Sequence, residues 1–271
     1  MATTHDSNSA CCSIPAVQHE YTPQGTYKSL GGIERVYVTG EGNGKALLAV
    51  YDIFGGRGGT SNPLDRQQSE IILFHRFYPQ TLQGADILSK TLGVQVVIPD
   101  FFAPYEPIKI SEFPPQTEEQ KIALGEFFGT AASPQRVLPL VHNVASALKD
   151  QGNKVGAYGY CWGGKITTLA GSTDDFIGVA ALHPAMLSAD DGNSLKVPIA
   201  LFPSKDEPVE EYEKLLAIVN SKEFAPKNSY KLYNTMHHGW AAARGDLSDA
   251  ENLTQYEDVY KRLAGFFSGL F

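Results

Sequence analysis

Lys154-Val155-Gly156-Ala157-Tyr158-Gly159-Tyr160-Cys161-Trp162-Gly163-Gly164 is the stretch on which the fold turns. Lys154–Tyr160 reads as a strand, and a helix follows at once, running through Gly171. Between them stands a cysteine with glycine two residues before and two after. A side chain on so sharp a strand-to-helix turn has a strained backbone, and the flanking residues pass very close together. Only small side chains fit there, hence Gly159 and Gly163. The helix N-terminus points at Cys161 and favours a negative charge on its sulfur. The plainer alternative is a structural cysteine buried in a glycine-rich turn.

Outward from this turn, short apolar strands alternate with helices. Arg35–Thr39, Lys45–Asp52, Val94–Pro99, Phe176–Leu182, Val197–Pro203 and Ser229–Tyr233 read as strands. Gln83–Leu92 has helical spacing and Gly93 as its stop. Thr117 with Gln120 has capping-box spacing, and Ser133–Pro134 opens the next helix. Val209–Val219 is helical. The last helix, from about Asn252 to Phe267, carries a wide apolar stripe of Tyr256, Val259, Tyr260, Leu263, Phe266 and Phe267. This alternation predicts an α/β fold: a mainly parallel sheet with helices on both faces. Ligands of such sheets bind at the carboxyl ends of the strands.

Two further residues follow strands. Asp206 lies in Pro203-Ser204-Lys205-Asp206-Glu207-Pro208, and His238 in Met236-His237-His238-Gly239-Trp240. The order nucleophile, acid, histidine is that of the α/β-hydrolase fold. In that chemistry the thiol attacks, the imidazole moves the proton, and the carboxylate holds the imidazole in the right tautomer. Turn or cap formation next to Pro208, and a surface loop around His237 and His238, are the structural alternatives.

The 271 residues carry 22 Lys and Arg against 30 Asp and Glu, a net charge of −8. So acidic a chain, without a basic block, is a poor nucleic-acid binder. Its apolar runs, such as Ala46–Tyr51, are too short to span a membrane. The polar start of the chain and three cysteines suit a reducing cytoplasm. No metal-ligand or phosphate-loop pattern is present, so no cofactor is expected.

The residues also carry a family resemblance. Cys11-Cys12-Ser13-Ile14-Pro15, Tyr51-Asp52-Ile53-Phe54-Gly55, Gln83-Gly84-Ala85-Asp86, Pro99-Asp100-Phe101-Phe102, the Gly159–Gly164 turn, His183-Pro184 and His238-Gly239-Trp240 with Arg244 run almost from end to end. On these the chain resembles a dienelactone hydrolase of the type common in fungi. The resemblance implies cleavage of a lactone or ester through a thioester on Cys161, with His238 rather than His237 as base. It implies an oxyanion hole from the backbone N–H groups of Ile53 and Trp162. Asp52 stands where bacterial relatives have a glutamate that manages the cysteine proton. An acid that binds loop amides is the even alternative. Arg244 corresponds to an arginine that pairs with a substrate carboxylate, or else it forms a salt bridge with Asp246.

Two departures matter. Ala103-Pro104-Tyr105 stands where the family carries a second arginine, which argues against a small, strongly anionic substrate. Phe54, Phe101, Phe102, Tyr105, Trp162 and Trp240 suggest an aromatic pocket for a larger aromatic or polyketide-like ester or lactone, with about half of them expected in the core. Residues 56–76 read as an insertion beside the site, a lid, a pocket wall or a gene-model artefact. The expected organisation is an N-terminal arm over 1–22 and one α/β-hydrolase domain over 23–271. Other readings stay open: a ligand-binding or thiol-redox relative, or another acyl-cleaving or isomerising reaction on the same scaffold.

Overall fold

The computed structural model describes residues 17–18, 20–54 and 77–271. Residues 56–76, most of the N-terminal arm and the Cys11-Cys12 pair lie outside the described residues.

Among the described residues eight strands form one sheet in the order β1-β2-β4-β3-β5-β6-β7-β8. They are β1 (Thr26–Leu30), β2 (Ile33–Thr39), β3 (Lys45–Val50), β4 (Gln95–Pro99), β5 (Lys154–Tyr160), β6 (Val179–Leu182), β7 (Ile199–Phe202) and β8 (Ser229–Tyr230). β2 is antiparallel to both β1 and β4, and every other pairing is parallel. The fold is α/β with a mostly parallel sheet, as the alternation of elements predicts. β1 escapes a reading by periodicity because it is a largely exposed edge strand. β8 is shorter than expected, but the direction continues in an isolated bridge between Ser204 and Tyr233.

Among the described residues there are seven α-helices: α1 (Pro79–Leu92), α2 (Glu118–Gly129), α3 (Pro134–Asp150), α4 (Trp162–Ala170), α5 (Asp191–Ser194), α6 (Val209–Val219) and α7 (Ala250–Ser268). Their ends obey local chemistry. Gly93 takes the left-handed conformation that closes α1. Thr117 and Gln120 satisfy each other's backbone at the start of α2. Ser133 caps α3 ahead of Pro134. The six apolar residues of the last helix are all buried. Tyr260 of α7 reaches Tyr160 at the end of β5, hydroxyl to hydroxyl at 2.5 Å, and the Tyr256 hydroxyl donates to the Gln80 carbonyl. The last helix thus pins α1 and the central strand, directly beneath the turn that holds Cys161.

Candidate active site

β3 and β5 are neighbours in register, with Val50 opposite Gly159. This brings the residues just past β3 beside Cys161, two residues past Gly159. The backbone at Cys161 has φ 54° and ψ −121°, a conformation an L-residue adopts only under constraint. The constraint is visible. A Cβ on Gly159 would overlap the Gly163 carbonyl, and one on Gly163 would overlap the Val50 carbonyl. Both expected small residues are therefore required by contact. The Cys161 N–H donates to Leu182 of β6 (3.1 Å), and its carbonyl accepts from Ala185 (2.9 Å). The residue is buried, with 7% of its surface exposed.

Past β7, Ser204 bridges to Tyr233, and the Lys205 N–H donates to the Met236 carbonyl at 3.1 Å. These bonds carry the acidic turn against the histidine turn. Glu207 Oε1 lies 2.6 Å from His238 Nδ1. Asp206, the acid expected to meet this ring, is exposed and does something else: its Oδ2 accepts the His238 main-chain N–H at 2.8 Å. The ring partner is thus Glu207, one position later. The two acids share a tight turn closed on Ser204, which folds Glu207 inward and leaves Asp206 at the surface. Glu207 is buried and held in turn by Ser204, whose main-chain N–H and hydroxyl both donate to its carboxylate. The adjacent acid pair with Ser three residues before Glu207 was the available signal.

The Cys161 side chain lies beside the His238 ring. Burial draws the ring's proton affinity down, but the neighbouring Cys161 sulfur and the Glu207 carboxylate outweigh that and lift its pKa to about 10. Cys161, His238 and Glu207 are therefore neighbours in that order, with the hydrogen bond between His238 and Glu207. His237 lies outside it and places Nε2 3.2 Å from the Arg244 carbonyl.

Among the described residues, the main-chain N–H groups of Ile53 and Trp162 have no hydrogen-bond acceptor. Trp162 opens α4 directly after Cys161, and Ile53 follows β3. The Ile53 carbonyl is engaged, accepting from Ile108 at 2.9 Å. Asp52 is buried, with one carboxylate oxygen on the Phe54 N–H (2.9 Å) and the other on the Ala243 N–H (3.3 Å). Burial pushes its pKa up to about 7 against the opposing pull of those two amides and of the His238 and Arg244 charges. Arg244 Nη1 donates to the His238 carbonyl at 2.9 Å.

Most of the expected pocket aromatics are core residues. Phe54, Phe101, Phe102, Trp162 and Trp240 are at most 3% exposed. Phe102 packs on Tyr51, Phe127 and Trp162, and Trp162 Nε1 donates to the Ala132 carbonyl. Tyr105 is 45% exposed and carries the Arg136 guanidinium over its ring. That guanidinium also binds the carbonyls of Phe101, Ala131 and Ala103, so it props the loop after β4. His183 supports the site from below. It is fully buried at φ 34°, its ring centroid is 5.2 Å from that of His238, and burial keeps it neutral by lowering its pKa well below the usual value.

Among the described residues no cluster of three or more His, Cys, Asp or Glu is arranged to hold a metal ion, and no helix is long and apolar enough to cross a membrane.

Comparison with known proteins identifies the family and the fold. Residues 60–271 match the Dienelactone hydrolase family. An uncharacterized AIM2 family protein of Schizosaccharomyces pombe is 30% identical across 96% of this chain and 99% of its own length. Among solved structures, a dienelactone hydrolase-like promiscuous phosphotriesterase from metagenomic libraries superposes with a TM-score of 0.54 at 14% identity, covering 92% of this chain and 98% of its own. A monoacylglycerol lipase of Paleococcus ferrophilus does so with a TM-score of 0.54 at 11% identity, covering 87% and 98%. At such identities the structures speak to the fold, and the sequence match speaks to the family. The chain belongs to the dienelactone hydrolase family and is an ester- or lactone-hydrolase-like enzyme of α/β-hydrolase fold.

Proposed function

We propose that this enzyme cleaves a carboxylic ester or lactone with Cys161 as nucleophile, His238 as general base and acid, and Glu207 as the carboxylate that orients and stabilises the imidazole. One observation carries the reading: the His238 ring is hydrogen-bonded to the buried Glu207 and lies beside the Cys161 side chain. The sulfur, its proton held by His238, attacks the acyl carbon. The carbonyl oxygen becomes an oxyanion facing the N–H groups of Ile53 and Trp162. As the carbonyl re-forms, the C–O bond breaks and His238 gives its proton to the departing alkoxide, leaving a thioester. Water then loses a proton to His238 and attacks the thioester. The second tetrahedral intermediate expels the sulfur, which again shares the proton on His238. Glu207 takes no proton in either half.

A compact ester or lactone fits better than a large aromatic one, because five of the six expected aromatics are used in packing. Arg244 holds the His238 carbonyl, which supports a role in bracing the histidine turn. A reducing compartment such as the cytoplasm suits a thiol nucleophile.

The test is an intact-mass measurement during turnover of p-nitrophenyl acetate. The expected result is an acetyl adduct on wild-type protein, mapped to Cys161 and absent from Cys161→Ala. Burst-free turnover without an adduct, persisting in Cys161→Ala, would overturn the reading.

A further inference from the structure

The family resemblance puts Asp52 in charge of the cysteine proton. The hydrogen bonds give it other partners. Its two carboxylate oxygens accept main-chain N–H groups from Phe54 and from Ala243, which are 189 positions apart in the sequence. The first bond closes a tight turn around Ile53. The Ile108 N–H grips the same turn from its other side through the Ile53 carbonyl, and the ring of Phe54 packs edge-on against Phe113. The Ile53 N–H, which has no acceptor among the described residues, is thereby aimed by its neighbours.

The second bond lands on a turn that is itself stiff. Trp240 N–H donates to the His237 carbonyl (3.3 Å), Ala242 to Gly239 (3.1 Å) and Gly245 to Ala242 (2.9 Å). Arg244 closes the same turn on the His238 carbonyl. A group fixed to Ala243 is therefore fixed with respect to His238. Asp52 is 2% exposed, so water does not compete for either bond, and losing one would leave a buried donor without a partner.

We infer that Asp52 is a positioning residue for the proposed hydrolysis: its carboxylate ties the turn that aims the Ile53 N–H to the turn that carries His238. Oxyanion donor and base then keep one spacing through both tetrahedral intermediates. Such spacing matters because a donor helps only where the oxyanion forms, and small misplacements are costly. The inference rests on the hydrolase reading above.

Asp52→Asn tests it, since the amide is isosteric but can accept from only one of the two N–H groups through its oxygen. With p-nitrophenyl acetate, kcat is expected to fall about 100-fold, the scale of a lost oxyanion donor, while KM stays within about threefold of wild type. Hydrogen exchange should quicken in both the segment ending at Phe54 and the segment 238–245. The pH profile of Cys161 alkylation by iodoacetamide should be unchanged. An alkylation profile displaced by a pH unit or more, with exchange unaltered, would overturn the inference in favour of a direct role on the thiol. Wild-type kcat would overturn it too.

Should Asp52→Asn not fold, the Ala243 peptide N–H can be replaced by an ester oxygen, leaving the carboxylate and its charge in place. The tether predicts the same fall in kcat, and unaltered kcat refutes it. Wild-type acylation at Cys161 separates the outcomes. If no acyl-enzyme forms, the hydrolase reading fails; if it forms and both altered proteins turn over normally, only the tether fails.

Discussion

Glu207 Oε1 sits 2.6 Å from His238 Nδ1, buried beneath the turn that bears Cys161. Asp206, its neighbour, holds the main-chain N–H of the same histidine at 2.8 Å. Two consecutive acids thus orient one residue, one through its ring and the other through its backbone. The ring contact stabilises a developing imidazolium, whereas the backbone contact fixes the turn. Their removal should have unequal effects.

Glu207→Gln should lower kcat for an aryl ester by about 10³-fold or more, on the scale of losing the orienting carboxylate of a triad. Asp206→Asn should cost no more than about tenfold, because an amide oxygen still accepts a main-chain N–H. Steady-state kinetics on both variants decide the point. The reverse order of severity would assign the acid to Asp206.

The turn around Cys161 gives a stability prediction. Gly163→Ala drives a methyl group into the backbone carbonyls of Val50 and Tyr51 at the end of β3. No rotamer relieves a clash with backbone, so the cost should reach about 3 kcal/mol or more, the upper range for overpacking. A urea midpoint close to wild type would contradict it.

His238 should leave a pH signature. Burial lowers its pKa, but the neighbouring Cys161 sulfur and the Glu207 carboxylate outweigh this and raise it from an ordinary value of 6.5 to about 10 in the folded protein. A raised histidine contributes stability that is fully present below pH 6.5 and is lost as the pH climbs through 10. In Cys161→Ala the sulfur beside the ring is gone, and the loss should begin at lower pH. Urea denaturation across pH 6 to 10.5 on the two proteins measures this. Coincident stability profiles would count against the pairing.

Asp52 shifts in the same direction in a lower pH window. Burial lifts its pKa from 3.8 to about 7, so between those values the folded chain binds a proton that the unfolded chain has released. Stability should therefore fall with rising pH from about 4 to 7, by an amount on the order of 4 kcal/mol. Asp52→Asn, which cannot ionise, should show a flatter profile over that range. Parallel profiles would mean that Asp52 titrates normally.

Ser204→Ala removes one of the two donors that Ser204 gives Glu207 and leaves the main-chain N–H. A fall in kcat of about tenfold is expected, with KM nearly unchanged. An unchanged kcat would show that the main-chain donor suffices.

The turn at Cys161 was legible from residue order because its constraints are local: a strand, a nucleophile and a helix in sequence leave room only for glycine at 159 and 163. Helix ends at Gly93, Thr117 and Ser133, and the stripe on the last helix, were legible for the same reason. Short-range sterics, hydrogen bonding and periodicity act within a few residues. Other features depend on how distant segments meet. Whether Asp206 or Glu207 faces His238 follows from the Ser204–Tyr233 bridge, which joins two loops after different strands. Phe102 and Trp162 are core rather than pocket because Phe127 and Ala132 come to lie against them. The two partners of Asp52 belong to opposite ends of the chain. Such choices are made by sheet register and packing, and nothing in the neighbouring residues encodes them.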